Sequence, residues 1–180
     1  NLPAMIKSAT KYVDHYQLVL AGAPSIDREY YDMVLNGIKD CGDIQIKIVN
    51  NETYSLLNHA VAALVTSGTA TLETAMFGVP QVVCYETPIP HLIRFGFNHV
   101  IKCKYISLVN LIADKEIVKE LFADRFSVSN ISEELGRILP GGEGRQKMLD
   151  EYEEVYKKLG DTIAPDNAAR IMFGLLNHKD

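Results

Sequence analysis

The feature that most restricts the fold is a repeated change of hydrophobic period along the chain. Short apolar runs at residues 17–22 (QLVLAG), 44–49 (IQIKIV), 62–65 (AALV) and 81–85 (QVVCY) alternate with stretches whose apolar positions recur every three or four residues. Continuous or alternating apolar character marks strands, whereas a period near 3.6 marks amphipathic helices. The first helical stretch covers about residues 1–16, with Leu2, Met5, Ile6, Ala9, Val13 and Tyr16 on one face and Lys7, Lys11 and Asp14 on the other. In the second, Ser25 is placed to cap, Asp27 sits in the first turn, and Tyr31, Val34, Leu35 and Ile38 form the buried stripe. A third spans 53–60, and a fourth opens in the small residues after Val65 and ends at Gly78. Four helix-strand units in series predict an α/β fold, a Rossmann-like parallel sheet with helices on both faces and right-handed crossovers.

Past Tyr85 the pattern loosens. Pro88 and Pro90 introduce an apolar, aromatic segment over 91–100, residues 104–107 read as a fifth short strand, and 108–122 as mostly helical. Three helices follow: about 129–139, stopped by Pro140-Gly141-Gly142; one with Met148, Tyr152, Val155, Tyr156 and Leu159 on one face; and about 165–176 with Ala168, Met172, Leu175 and Leu176 inward. The charges of 150–158 read as a solvated face with pairs such as Glu153 with Lys157 and Glu154 with Lys158. No repeat or low-complexity linker divides residues 1–180, which are read as one domain.

Composition removes several functions. With 18 Lys and Arg against 23 Asp and Glu, a net charge of −5 offers no basic field for nucleic acid. No apolar run approaches the roughly 18 to 20 residues of a membrane span, which leaves peripheral attachment open. Cys41, Cys84 and Cys103 form no CxxC pair, a pattern that fits a reducing compartment, with cytoplasm as the default. The five histidines share no ligand spacing, and no metal or other cofactor is expected.

The sharpest chemistry lies in Ser67-Gly68-Thr69-Ala70, directly after a buried strand and directly before a helix. A helix start leaves N–H groups unpaired at the positive end of the macrodipole, and Gly68 removes the side chain that would block an approaching anion. In an open parallel sheet this is the carboxyl edge, where ligands bind. Glu73 follows Thr69 by four residues, one turn along the same face, while Leu72, Ala75 and Met76 turn to the sheet. A carboxylate there can accept both hydroxyls of a ribose whose diphosphate rests on the helix start. The plainer reading makes Ser67 or Thr69 a cap and Glu73 a surface residue. Neither GxGxxG nor a Walker loop is present.

Residues 66–73 (TSGTATLE), 78–85 (GVPQVVCY), 104–113 (KYISLVNLIA) and 116–121 (EIVKEL) resemble the C-terminal half of lipid-A-disaccharide synthases, over about residues 1–176. The first two segments are shared loosely by many two-Rossmann-domain (GT-B type) nucleotide-sugar enzymes, whereas the last two are particular to this family. The resemblance implies transfer of 2,3-diacylglucosamine from UDP to the 6-hydroxyl of 2,3-diacylglucosamine 1-phosphate, with inversion, giving the β-1,6 lipid A disaccharide and UDP. It implies a hexosyltransferase working without metal at the cytoplasmic face of a Gram-negative inner membrane, in peripheral contact with it.

Carried over by position, Ser67, Gly68, Thr69 and Ala70 line the diphosphate and Glu73 the ribose. Asn110 matches the asparagine of a serine-leucine-proline-asparagine donor-site stretch, with Ser107 beside it, although Val109 replaces the proline. Asp114 stands for a common glycine and Val61 for a common aspartate. Asn50 and Asn51 are candidates for uracil contacts, mainly through backbone. The family's domain opens with a strand ending in Leu-Pro-Gly-Ser-Arg, and no such segment occurs here. The chain is therefore expected to lack the central first strand, its arginine and the acceptor domain with the catalytic base, to be inactive alone, and to leave a gapped or swapped sheet. The segment 89–100 is expected to pack between sheet and cleft, with contact to acyl chains or phosphates as its alternative. The last helix packs on an N-terminal domain or on another subunit, so a homodimer stays open. Two other readings remain: another UDP-sugar enzyme, an N-acetylglucosaminyltransferase or a UDP-sugar 2-epimerase; and a non-catalytic nucleotide-binding module.

Overall fold

The computed structural model describes residues 1–38, 44–66, 68–87, 104–160 and 164–177. Helix α1 (Leu2–Ala9) runs into a 3-10 turn (Thr10–Tyr12) and is followed by β1 (Leu18–Gly22), α2 (Arg28–Asn36), β2 (Ile46–Asn50), α3 (Thr53–His59), β3 (Ala63–Val65), α4 (Gly68–Met76) and β4 (Gln81–Tyr85). Then come α5 (Leu108–Ala113), β5 (Lys119–Phe122), α6 (Val128–Ile138), α7 (Arg145–Leu159) and α8 (Ala164–Asn177). The four apolar runs are the first four strands. Asp27 rather than Ser25 is the cap position of α2, and it makes no side-chain capping bond.

Every strand pairing is parallel, as a fold built from strand-helix-strand units requires. The strands form two groups, β1-β2 and β3-β4-β5. Among the described residues no strand pairing joins the two groups. In β4, Gln81, Val82, Val83 and Cys84 are all fully buried, which explains its continuous apolar run. The β1-β2 pair instead alternates, with Val19 and its register partner Lys47 both exposed.

The core gathers around β4. Ile131, Leu135 and Ile138 of α6 and Met148, Tyr152 and Val155 of α7 pack with Val82, Val83, Val109, Val118 and Leu121. Each large side chain buried here contributes roughly 1.5–3 kcal/mol. Polar bonds fix the layers. The Tyr152 hydroxyl donates to the Val79 carbonyl (3.1 Å) and accepts from Gln81 Nε2 (3.2 Å), while that amide also donates to the Thr71 carbonyl (2.8 Å), tying α4 and α7 to β4. Arg145 Nη1 donates to the carbonyls of Val61 (2.7 Å) and Ile138 (2.9 Å). The Tyr12 hydroxyl donates to the Ser132 carbonyl (2.8 Å), joining the first helical segment to α6.

Five expectations need correction. Residues 104–107 form no strand, and 108–122 is not one helix: α5 ends where Asp114 turns left-handed (φ 56°), and Lys119–Phe122 is β5, parallel to β4. The charged face of α7 is not merely solvated. Lys115 Nζ reaches Glu151 (3.2 Å) and Glu154 (2.8 Å), and Lys158 Nζ donates to the Ala113 carbonyl (2.6 Å), so these charges fasten α7 to the end of α5. In α8, Ala168, Met172 and Leu175 are exposed rather than inward. On α4, Met76 is 55% exposed instead of facing the sheet. Segment 89–100 lies outside the described residues. Among the described residues no helix is long and apolar enough to cross a membrane.

Candidate functional site

Because β3, β4 and β5 run parallel, their carboxyl ends share one edge, and the β3-to-α4 turn opens there. Val65 is level with Val83, and α4 begins at Gly68. The first turn of α4 contains no acidic residue, so no carboxylate of that turn offsets its positive dipole end. Among the described residues a Cβ built on Gly68 meets nothing within 4 Å, so none of them blocks a ligand oxygen approaching the backbone. Thr69 is exposed and Ala70 half-buried. The hydroxyls of Thr71 and Thr74 turn back into α4, donating to the carbonyls of Gly68 (2.6 Å) and Ala70 (2.7 Å). Ser67 lies outside the described residues.

Glu73 is half-buried on α4. The Tyr54 hydroxyl, from the start of α3, lies 3.4 Å from Glu73 Oε1, and the Tyr54 ring stacks on Phe77 with centroids 5.3 Å apart at 26°. Tyr54 follows the strand-end loop of Asn50 and Asn51 in the chain. Asn50 is exposed beside Gly22, where a Cβ would stand 1.9 Å from its Oδ1. Asn51 is exposed and left-handed (φ 59°), a conformation that asparagine tolerates well.

Ser107 and Asn110 face inward, both fully buried. Asn110 Nδ2 donates to the Val118 carbonyl (2.8 Å) and Glu120 Oε1 (2.9 Å), and its Oδ1 accepts from the N–H groups of Ile117 (2.7 Å) and Val118 (2.9 Å). That uses the full hydrogen-bonding capacity of the amide, so in this arrangement none is left for a ligand. Ser107 caps α5 by accepting from Asn110 N (3.3 Å), and its hydroxyl donates to Glu120 Oε1 (2.7 Å). The pair shapes the 106–110 turn.

Three residues here escaped sequence reasoning. Glu120 had a signal, an acidic residue inside the apolar stretch Ile117-Val118-Lys119-Glu120-Leu121-Phe122. Tyr54 had none, because its partner Phe77 is distant in sequence. Thr87, two residues beyond β4, has a buried hydroxyl oxygen without a hydrogen-bond partner among the described residues. Just before it, the Glu86 N–H donates to the Asn1 side-chain carbonyl, which sets the start of α1 on this same edge.

Burial pushes the Cys84 thiol up from 9.0 to about 12, which keeps it protonated and unsuited to nucleophilic work. Tyr85 is also raised, first by burial and then by Glu120. What the edge can do is bind: an anion at the start of α4, vicinal hydroxyls at Glu73, and a flat ring near Tyr54.

The family model for lipid-A-disaccharide synthetase matches residues 1–171. Lipid-A-disaccharide synthases of several bacteria are similar: that of Myxococcus xanthus is 31% identical over 179 residues (97% of this chain, 45% of the relative). That of Acidobacterium capsulatum is 31% identical over 169 residues (88% and 42%), and that of Psychromonas ingrahamii 36% over 137 residues (76% and 35%). The chain thus spans less than half the length of these relatives. With the match covering nearly all of its residues, the chain belongs to the lipid-A-disaccharide synthetase family.

Proposed function

We propose that this chain is the donor-binding part of an inverting glycosyltransferase that moves 2,3-diacylglucosamine from UDP to 2,3-diacylglucosamine 1-phosphate, forming the β-1,6 lipid A disaccharide and UDP. The observation that carries the reading is the open start of α4 at Gly68 with Glu73 one turn further along the same helix. The diphosphate rests on the N–H groups of Gly68, Thr69 and Ala70, with Ser67 beside them, and Glu73 accepts the ribose hydroxyls. As the glycosidic bond breaks, negative charge grows on the leaving diphosphate, and the dipole of α4 stabilises it where it develops. Asn50 and Asn51 contribute at the base, while Ser107 and Asn110 act through the shape of their turn. Family membership supports the substrate pair, and the acyl chains of both substrates support work at a membrane surface, on the cytoplasmic side of the inner membrane.

The test is turnover by the intact protein of acylated against unacylated UDP-glucosamine donors. Turnover of the acylated donor is expected, and turnover of the unacylated donor alone would refute the assignment.

A further inference from the structure

Tyr54 opens α3 and is 58% exposed, yet its ring is held on two sides. One face stacks on Phe77, and the hydroxyl points at Glu73. Phe77 and Glu73 lie four residues apart on the α4 side of this contact, where the Phe77 N–H donates to the Glu73 carbonyl (3.2 Å). They therefore share one face of the helix end. The Tyr54-to-Glu73 contact, at 3.4 Å, is longer than the roughly 2.7–2.8 Å of a normal O–H···O bond, so Glu73 keeps its capacity for other donors. An aromatic ring backed on one face and more than half exposed among the described residues can serve as a stacking platform, and it loses little conformational freedom when a second ring lands on it.

Its position relative to the anion site follows from helix geometry. Glu73 lies about 7.5 Å along the α4 axis from Gly68, and Phe77 about 13.5 Å. In a nucleoside diphosphate the phosphates and the base leave opposite ends of the ribose. With phosphates at Gly68 and ribose at Glu73, the base extends away from the helix start, toward Phe77 and the ring stacked on it. We infer that Tyr54 forms the nucleoside-side wall of this site, its ring stacking with the base and its hydroxyl aligning the Glu73 carboxylate for the ribose. The inference rests on the reading of α4 as a diphosphate site and adds a base-contacting residue to it.

The experiment titrates the intact protein and its Tyr54→Ala, Tyr54→Phe and Glu73→Ala variants with UDP, 2′-deoxy-UDP and inorganic pyrophosphate. Loss of a base-aromatic stack predicts UDP binding at least fivefold weaker in Tyr54→Ala, with pyrophosphate binding unchanged. Tyr54→Phe keeps the stack and most of the UDP affinity, but narrows the preference for UDP over 2′-deoxy-UDP. The inference is overturned if Tyr54→Ala binds UDP as the wild type does, or if UDP and pyrophosphate weaken in equal proportion. If Glu73→Ala loses UDP affinity while Tyr54→Ala does not, the diphosphate reading survives and only the platform falls. A wild-type protein that binds no UDP overturns both.

Discussion

The side-chain amide of Asn110 donates to Glu120 Oε1 over 2.9 Å, closing a buried network in which Glu120 also accepts from Ile106 N, Ser107 N and Ser107 Oγ. Ala in place of Glu120 strands these donors in a dry interior, where each unpaired group costs about 1–3 kcal/mol. Glu120→Ala is expected to lose on the order of 3 kcal/mol or more in urea unfolding. Glu120→Gln, which keeps the shape and most acceptor capacity, should lose less. A loss below about 1 kcal/mol in Glu120→Ala would contradict the network's structural role.

Gly68 separates a folding role from a binding role. No described residue comes within 4 Å of the Cβ position, and alanine favours a helix over glycine by roughly 0.5–1 kcal/mol. Gly68→Ala and Gly68→Val should therefore melt no lower than the wild type. The larger side chain fills the approach to the backbone N–H groups, so Gly68→Val should weaken UDP binding at least tenfold. A melting point that drops in step with affinity would make Gly68 a structural residue instead.

Alkaline stability follows from Cys84. Its thiol has a pKa near 9.0 when unfolded and about 12 when folded, so between those values the unfolded chain releases a proton that the folded chain retains. Stability is fully present below about pH 9 and falls as pH rises toward 12, by a few kcal/mol at most. Tyr152, also raised by burial, adds to the decline at the upper end. Unfolding free energies measured across this range should fall more steeply for the wild type than for Cys84→Ala. Equal slopes would show that Cys84 ionises alike in both states.

The strands of this fold were legible where burial acts on both faces. Residues 82–84 form an unbroken apolar run because β4 is enclosed, and the boundaries Gln81 and Tyr85 are those of the structure. Residues 108–122 misled because Leu108, Ile112 and the later apolar positions fit a helical period, while the break depends on Asp114 adopting a left-handed turn. The place of Glu73 one turn along α4 was legible through its spacing from the glycine turn. Tyr54 was not, because stacking on Phe77 is tertiary and leaves no period. Asn110 was read as a ligand contact, but its inward direction follows from partners at and just before β5, a strand hidden inside the supposed helix. The exposed face of α8 carries a helical apolar period that, for a chain taken alone, is indistinguishable from a core face.

The central claim is that α4 binds a nucleoside diphosphate through its N-terminus and Glu73. Calorimetric titration of UDP into the intact protein, wild type against Glu73→Ala, tests it most directly. The account predicts saturable binding by the wild type, at least tenfold weaker in Glu73→Ala, with inorganic pyrophosphate bound equally by both. Equal UDP affinity in the two proteins would contradict it.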